Sequence, residues 1–198
     1  AKLAFVFRNT DGSMEGKTAS MGDIFYPVYP VNAGFQAAIF RPYEDVLVSL
    51  NDTIHLKAQS NGNATLEIYD NGILITSTSN STILQHDHVV NLSGDHEIIL
   101  IANDGSSIIS DTVNYTVIPP NTVIDPPTGL ADGINYINDS TITIKLYAPE
   151  KNIVNLIGDH NNWAVNSASF MSLSSDSTYW WKTISGLTSG QSYTYQFL

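Results

Sequence analysis

Apolar and polar residues alternate with a period of two through most of the chain. Over Thr53–Gln59, Ile54, Leu56 and Ala58 fall on one side and Thr53, His55 and Lys57 on the other, the pattern of a half-buried strand. Leu66 and Ile68 continue it against Thr65, Glu67 and Tyr69, and Asn71-Gly72 then supplies the two positive-φ residues of a two-residue hairpin turn. The runs "HEIILIAN" and "SIISDTVNYTVI" repeat the cadence at roughly 8 to 12 residue spacing. Together they predict an immunoglobulin-like β-sandwich over residues 36–118.

Four prolines between Pro119 and Pro127 bar that segment from a central strand, because proline donates no ladder hydrogen bond. Residues 119–127 are expected to form a stiff, extended linker. Beyond them a second all-β module is expected over 128–198. Ile142, Ile144 and Leu146 alternate there, as do Val154 and Leu156, and "TYWWKTI" and "SYTYQFL" add further strands. Residues 1–35 hold "KLAFVFR" and "DIFYPVY" around a polar loop with Gly12, Gly16 and Gly22. Two strands alone cannot bury a core, so this part is expected to be a hairpin left from an upstream β domain, the alternative being that it pairs with the next module. Both ends of the sequence fall inside strand patterns, as expected of a piece of a longer protein. The fold class is therefore all-β, with tandem sandwich modules and no convincing helix.

Composition narrows the function. The 198 residues carry 8 Lys and Arg against 19 Asp and Glu, a formal charge of −11, so nucleic acid and anionic membrane surfaces are disfavoured partners. Cysteine is absent, which removes disulfides, thiolate chemistry and Cys-based zinc sites. No apolar run approaches the roughly 20 residues that span a bilayer, so no membrane insertion is expected. No Ser-His-Asp set, nucleophile elbow or phosphate-cradling glycine loop appears, and no cofactor is implied.

The stretch "IVNLIGDHNNW" raises the sharpest question, because it sets Trp163 directly after a cluster of turn-forming residues. Asp159, Asn161 and Asn162 suit a turn, since their side chains bond nearby backbone and tolerate left-handed conformations. A Trp at the mouth of such a turn can lay its flat face on the C–H face of a pyranose while the amides of Asn161 and Asn162 bond hydroxyls. The alternative is a Trp163 folded back to plug the end of the sandwich. Trp180 and Trp181, adjacent on a strand, must face opposite sides, one in the core and one at a contact surface.

The residues Gly158, Asp159, Asn161, Asn162 and Trp163, followed by Trp181, Gly186, Leu187, Gly190, Tyr193 and Tyr195, resemble carbohydrate-binding module family 48, the β-sandwich that precedes the barrel in amylase-type glycosidases and branching enzymes. The likeness covers about residues 128–198 and departs at His160, where an aromatic is usual. Residues 1–30 look like the closing hairpin found upstream in bacterial amylase-family proteins. The resemblance implies a non-catalytic accessory region of an α-glucan-acting glycoside hydrolase, secreted, periplasmic or at a bacterial cell surface. It implies two partners, an α-glucan polysaccharide and the downstream catalytic domain of the same chain. The implied sugar contacts are Trp163, Asn162, Asn161, Trp181 and Gln196. A structural or adhesive array of sandwich modules without a sugar site is the competing expectation.

Catalysis is not expected from this chain. Glycosidases need two facing carboxyl groups about 5 to 9.5 Å apart, whereas Asp70, Asp104, Asp111 and Asp159 occupy turns or strand ends in unrelated segments. A (β/α)8 barrel also takes about 250 residues. His86 and His88 could offer two metal ligands from one strand face, but no third is identifiable, so they are expected as polar residues on the wet face. Asn9, Asp11 and Glu15 are expected in a solvated hairpin loop that lacks the calcium-loop ligand pattern. Sequons at Asn51, Asn63, Asn80, Asn91, Asn114 and Asn138 would suggest surface glycosylation in a eukaryotic secreted protein; in a bacterium, which the resemblance favours, they follow from the abundance of Asn, Ser and Thr.

Overall fold

The computed structural model describes residues 2–5, 7–8, 10–11, 15–16, 24–28, 33–42 and 46–198. The chain divides into two units, Ala1–Val117 and Ile118–Leu198. In the first, strand β1 (Lys2–Phe5) pairs antiparallel with a later strand β4 (Ile24–Pro27), and β2 (Phe7–Arg8) with β3 (Glu15–Gly16). Asn9, Gly12, Gly22 and the side chain of Glu15 lie outside the described residues.

The rest of the first unit is built from β5 (Ala37–Arg41), β6 (Val46–Val48), β7 (Thr53–Asp70), β8 (Ile73–Val89), β9 (Gly94–Asn103) and β10 (Ile108–Val117). The β7–β8 hairpin closes at Asn71-Gly72 with φ of 46° and 79°, the left-handed pair that a two-residue turn requires. β7 is 18 residues long and changes partner midway. Its first part pairs with β5, from Ala37↔Ser60 to Arg41↔Lys57, and its last part with β9, from Thr65↔Asn103 to Asp70↔Ile98. The change falls where the ladder to β8 slips between Gln59 and Ala64, as β-bulges do at sandwich corners. Asn61 holds the chain extended through it: its Oδ1 accepts Gln36 N–H at 2.9 Å and its Nδ2 donates to the Gly34 carbonyl at 2.7 Å. Inward residues of both halves, Ile54, Leu56 and Ala58 and then Leu66 and Ile68, share one core with Leu84, Ile98, Leu100, Val113 and Tyr115.

A polar cluster closes one end of that core. Tyr115 donates its hydroxyl to Asp70 Oδ2 at 2.7 Å, His88 Nε2 lies 3.1 Å from the same oxygen, and His96 Nδ1 lies 3.0 Å from Oδ1. His96 Nε2 faces the Leu92 carbonyl at 2.9 Å, and its ring stacks on Tyr115. Burial, then the hydrogen bond to Asp70, push the Tyr115 phenol well above its usual pKa. The expectation that His86 and His88 stand on the wet face is corrected at His88, whose side chain is 17% exposed. Leu84 and Val90 are buried on the same strand parity, so the even positions point inward. Asp87 between them is the solvent-facing residue, 73% exposed, and meets His55 Nδ1 at 2.7 Å. Among the described residues no group of three or more His, Cys, Asp or Glu is arranged to hold a metal, and no helix is long and apolar enough to cross a membrane.

The second unit faces two sheets against each other. Strands β11 (Gly133–Asn138), β12 (Thr141–Tyr147), β14 (Ser172–Leu173) and β15 (Tyr179–Ile184) lie in the order β11-β12-β15-β14, while β13 (Leu156–Gly158) pairs with β16 (Tyr195–Phe197). Trp180 is fully buried among Ile144, Leu156, Met171 and Leu173. The proline-rich segment 119–127 adds an edge to the larger sheet: Val123 bridges Leu173 in parallel, Leu173 N–H donates to Thr122, and Ile124 N–H donates to Leu173, both at 2.9 Å. None of the four prolines sits inside this pairing, which is why it can form.

Removing the shared acceptor of the polar cluster leaves the buried Tyr115 hydroxyl and His96 ring, and the partly buried His88, without their common partner. Asp70→Ala is expected to destabilise the first unit by about 3 kcal/mol. All three tryptophans lie in the second unit, so urea unfolding followed by far-ultraviolet circular dichroism should show an earlier transition while the tryptophan-fluorescence transition stays in place.

Candidate functional site

β13 carries the chain into the turn "GDHNNW", and β16 lies beside it with Leu156↔Phe197, Ile157↔Gln196 and Gly158↔Tyr195 in register. A Cβ at position 158 would collide with the Thr194 carbonyl and lie 2.8 Å from Tyr195 Cα, so only glycine permits this approach. Asp159–Asn161 then make a single 3-10 turn, and Asn162 and Trp163 both adopt left-handed backbone, with φ of 54° and 60°. For a residue as bulky as Trp this is a costly conformation, about 1 to 3 kcal/mol, and it persists only where the surroundings over-determine it.

Those surroundings are visible. Trp163 N–H donates to the Gly158 carbonyl at 2.9 Å, and Ala164 N–H to Asn161 at 3.2 Å. Asn161 spends its whole amide on the turn, Oδ1 accepting Gly158 N–H and Nδ2 donating to the Ala164 carbonyl, both at 2.9 Å. Asp159 N–H donates to the Thr194 carbonyl at 3.0 Å, and Asp159 Oδ2 accepts Thr194 N–H at 2.7 Å. The other carboxylate oxygen, Oδ1, accepts the Trp163 indole N–H at 3.0 Å. The Thr194 amide and then the indole hold the Asp159 carboxyl below the usual carboxylate range.

The five expected contact residues separate into two groups. Trp163 is 42% exposed and is not sealed inside its own module. Asn162 follows the same turn, exposed, and Gln196 is exposed on β16 opposite Ile157. Asn161 belongs to the same turn but has no free polar atom. Trp181 lies elsewhere, on the four-stranded sheet opposite Lys145 and Ser172, half-buried, with its indole N–H donating to the Ile124 carbonyl at 2.8 Å. Asp159 and Thr194 escaped the sequence reading as functional positions. The signal available was an acceptor four residues before a Trp, which a turn-forming Asp masks.

Residues 133–198 match the family model of carbohydrate-binding module 48 (isoamylase N-terminal domain). The resemblance seen in the turn thus holds for the module, although the match spans 66 of the chain's 198 residues. Solved structures similar to the chain include the fibronectin(III)-like modules of Clostridium thermocellum CbhA, at 20% identity and a TM-score of 0.34, covering 41% of this chain and 95% of that one. Titin Ig tandem domains A164-A165 are similar at 10% identity and a TM-score of 0.33, covering 82% and 94%. The apo β-glucuronidase 3 of Bacteroides uniformis is similar at 9% identity and a TM-score of 0.35, covering 84% of this chain and 23% of that one. A search of curated proteins gives no match.

His160, where the family usually places an aromatic, carries a mismatch. Its Nε2 is buried and has no hydrogen-bond partner. Burial and then the Lys182 cation push its pKa below the usual value. A histidine depressed in the folded state is protonated first in the unfolded chain, so stability is full above the unfolded pKa of about 6.5 and is lost as pH falls below it. His160→Phe, which fills the space without the orphaned nitrogen, should match or exceed the parent's stability. It should also flatten the decline below pH 6.5, as read by tryptophan-monitored urea midpoints across pH.

Proposed function

We propose that the chain is a non-catalytic accessory region of an amylase-family glycoside hydrolase that binds starch- or glycogen-like α-glucan on the Trp163 turn. The observation that carries this reading is an exposed indole held in a strained conformation by seven hydrogen bonds spanning Gly158 to Ala164 and Thr194. A plug for the sandwich end would need neither the strain nor the exposure. The ring offers a flat apolar face, Asn162 beside it in the turn offers an exposed uncharged amide, and Gln196 offers another on β16, a combination suited to a neutral sugar. In this reading Asn161 builds the turn and Trp181 anchors segment 122–125, so neither meets glucan directly. The parent enzyme in this reading is bacterial and is secreted, periplasmic or held at the cell surface.

The second partner in this reading is the catalytic domain of the same protein. Support for it comes from the apolar side of β11, where Ile134, Tyr136 and Ile137 are exposed beside a cleft of about 620 Å³ that they line with Tyr193 and Tyr195. Such a surface is ordinarily covered by protein.

Affinity electrophoresis in amylose-containing gels tests the reading. The parent chain should be retarded, and Trp163→Ala should weaken retention about 30-fold, as expected for loss of an aromatic anchor worth about 2 kcal/mol. Trp181→Phe removes only the bond to Ile124 and should lose about 1 kcal/mol of stability with retention unchanged. No retardation of the parent chain would favour a structural or adhesive array instead.

A further inference from the structure

We propose that Asp159 is a positioning residue that presets the Trp163 indole for its ligand, gripping the ring by its N–H so that only its faces are presented. The inference rests on the glucan reading of the same turn. Its ground is the division of one carboxylate between two donors. Oδ1 takes the Trp163 indole N–H at 3.0 Å, and Oδ2 takes Thr194 N–H at 2.7 Å. The side chain is thereby tied to the backbone that enters β16, the strand bearing Gln196.

An exposed indole on a left-handed residue would otherwise sample several rotamers, and a ligand would have to select one at an entropic cost. A fixed ring removes that cost from association. The grip also consumes the only hydrogen-bond donor of the indole. Hydrogen bonding to a saccharide then falls to Asn162 and Gln196, and the indole contributes stacking alone. The titratable group next to Asp159 is His160, and the carboxyl is held low by its two donors, so the grip persists through neutral and mildly acidic pH. Asp159 is exposed, which makes a role in filling the core untenable.

Asp159→Ala and Asp159→Asn, made in the whole chain, test this by two readouts. One is retention in amylose gels, and the other is the set of three indole ¹H–¹⁵N resonances. The Ala variant is expected to shift the Trp163 indole resonance upfield and to weaken retention about fivefold. The Trp180 and Trp181 indoles, which donate to the Ala148 and Ile124 carbonyls, should keep their positions and report an intact module. Asn keeps one acceptor oxygen and sets an NH2 against the second donor, so it can hold the indole or the Thr194 N–H but not both, and should recover the resonance and the retention only in part, to between the Ala variant and the parent. An Ala variant with unchanged retention, whether or not the resonance moves, overturns the proposal. Should the parent chain show no retention at all, the glucan reading fails, and the resonance alone decides whether Asp159 holds the ring.

Discussion

Backbone meeting backbone at Gly158, with no side chain between, is the constraint on which the second unit's candidate site depends. That contact sets the register of β13 against β16 and brings Thr194 to Asp159. From there every bond in the turn follows: the carboxylate bridges Thr194 and the indole, Asn161 cross-braces Gly158 and Ala164, and two left-handed residues in succession throw the Trp outward. The turn-formers that precede the tryptophan are the residues whose bonds hold it in place.

Much of the architecture was legible in the sequence because period-two alternation survives burial directly. Ile54, Leu56, Ala58, Leu66 and Ile68 are inward, as the pattern says, and Asn71-Gly72 turns as its two residues demand. Trp180 and Trp181 do face opposite sides. What alternation cannot report is the partner. Nothing local announces that β7 leaves β5 for β9 at residues 60–64, where Asn61 bonds to Gly34 and Gln36, distant in sequence. His88 was misplaced for a related reason, because a polar residue on an inward parity is legible only once its acceptor, Asp70, is known to lie across the core.

The candidate site shows the same division. Gly158 and the Asn pair marked a turn by residue type alone, while Trp163 could be read there either as a platform or as a plug of the sandwich end. The employment of each polar atom was not legible. Asn161 and Asn162 are identical in chemistry, yet one is fully spent on backbone and the other faces solvent. Trp181 parts from Trp163 by its place, half-buried on the four-stranded sheet against segment 122–125, whereas Trp163 stands exposed on the turn. The prolines of 119–127 read as a spacer because they forbid strands, but they flank the four residues, 122–125, that bond to the β14 region.

Because β7 pairs with β5 over its first part and with β9 over its last, the two ladders share one strand. Loss of pairing at β5 would pull on the same backbone that closes the core at Asp70, so the sheet of β5 to β10 should behave as a single cooperative block. A protease or a pulling force would then meet an all-or-none barrier there instead of a frayed edge that peels strand by strand.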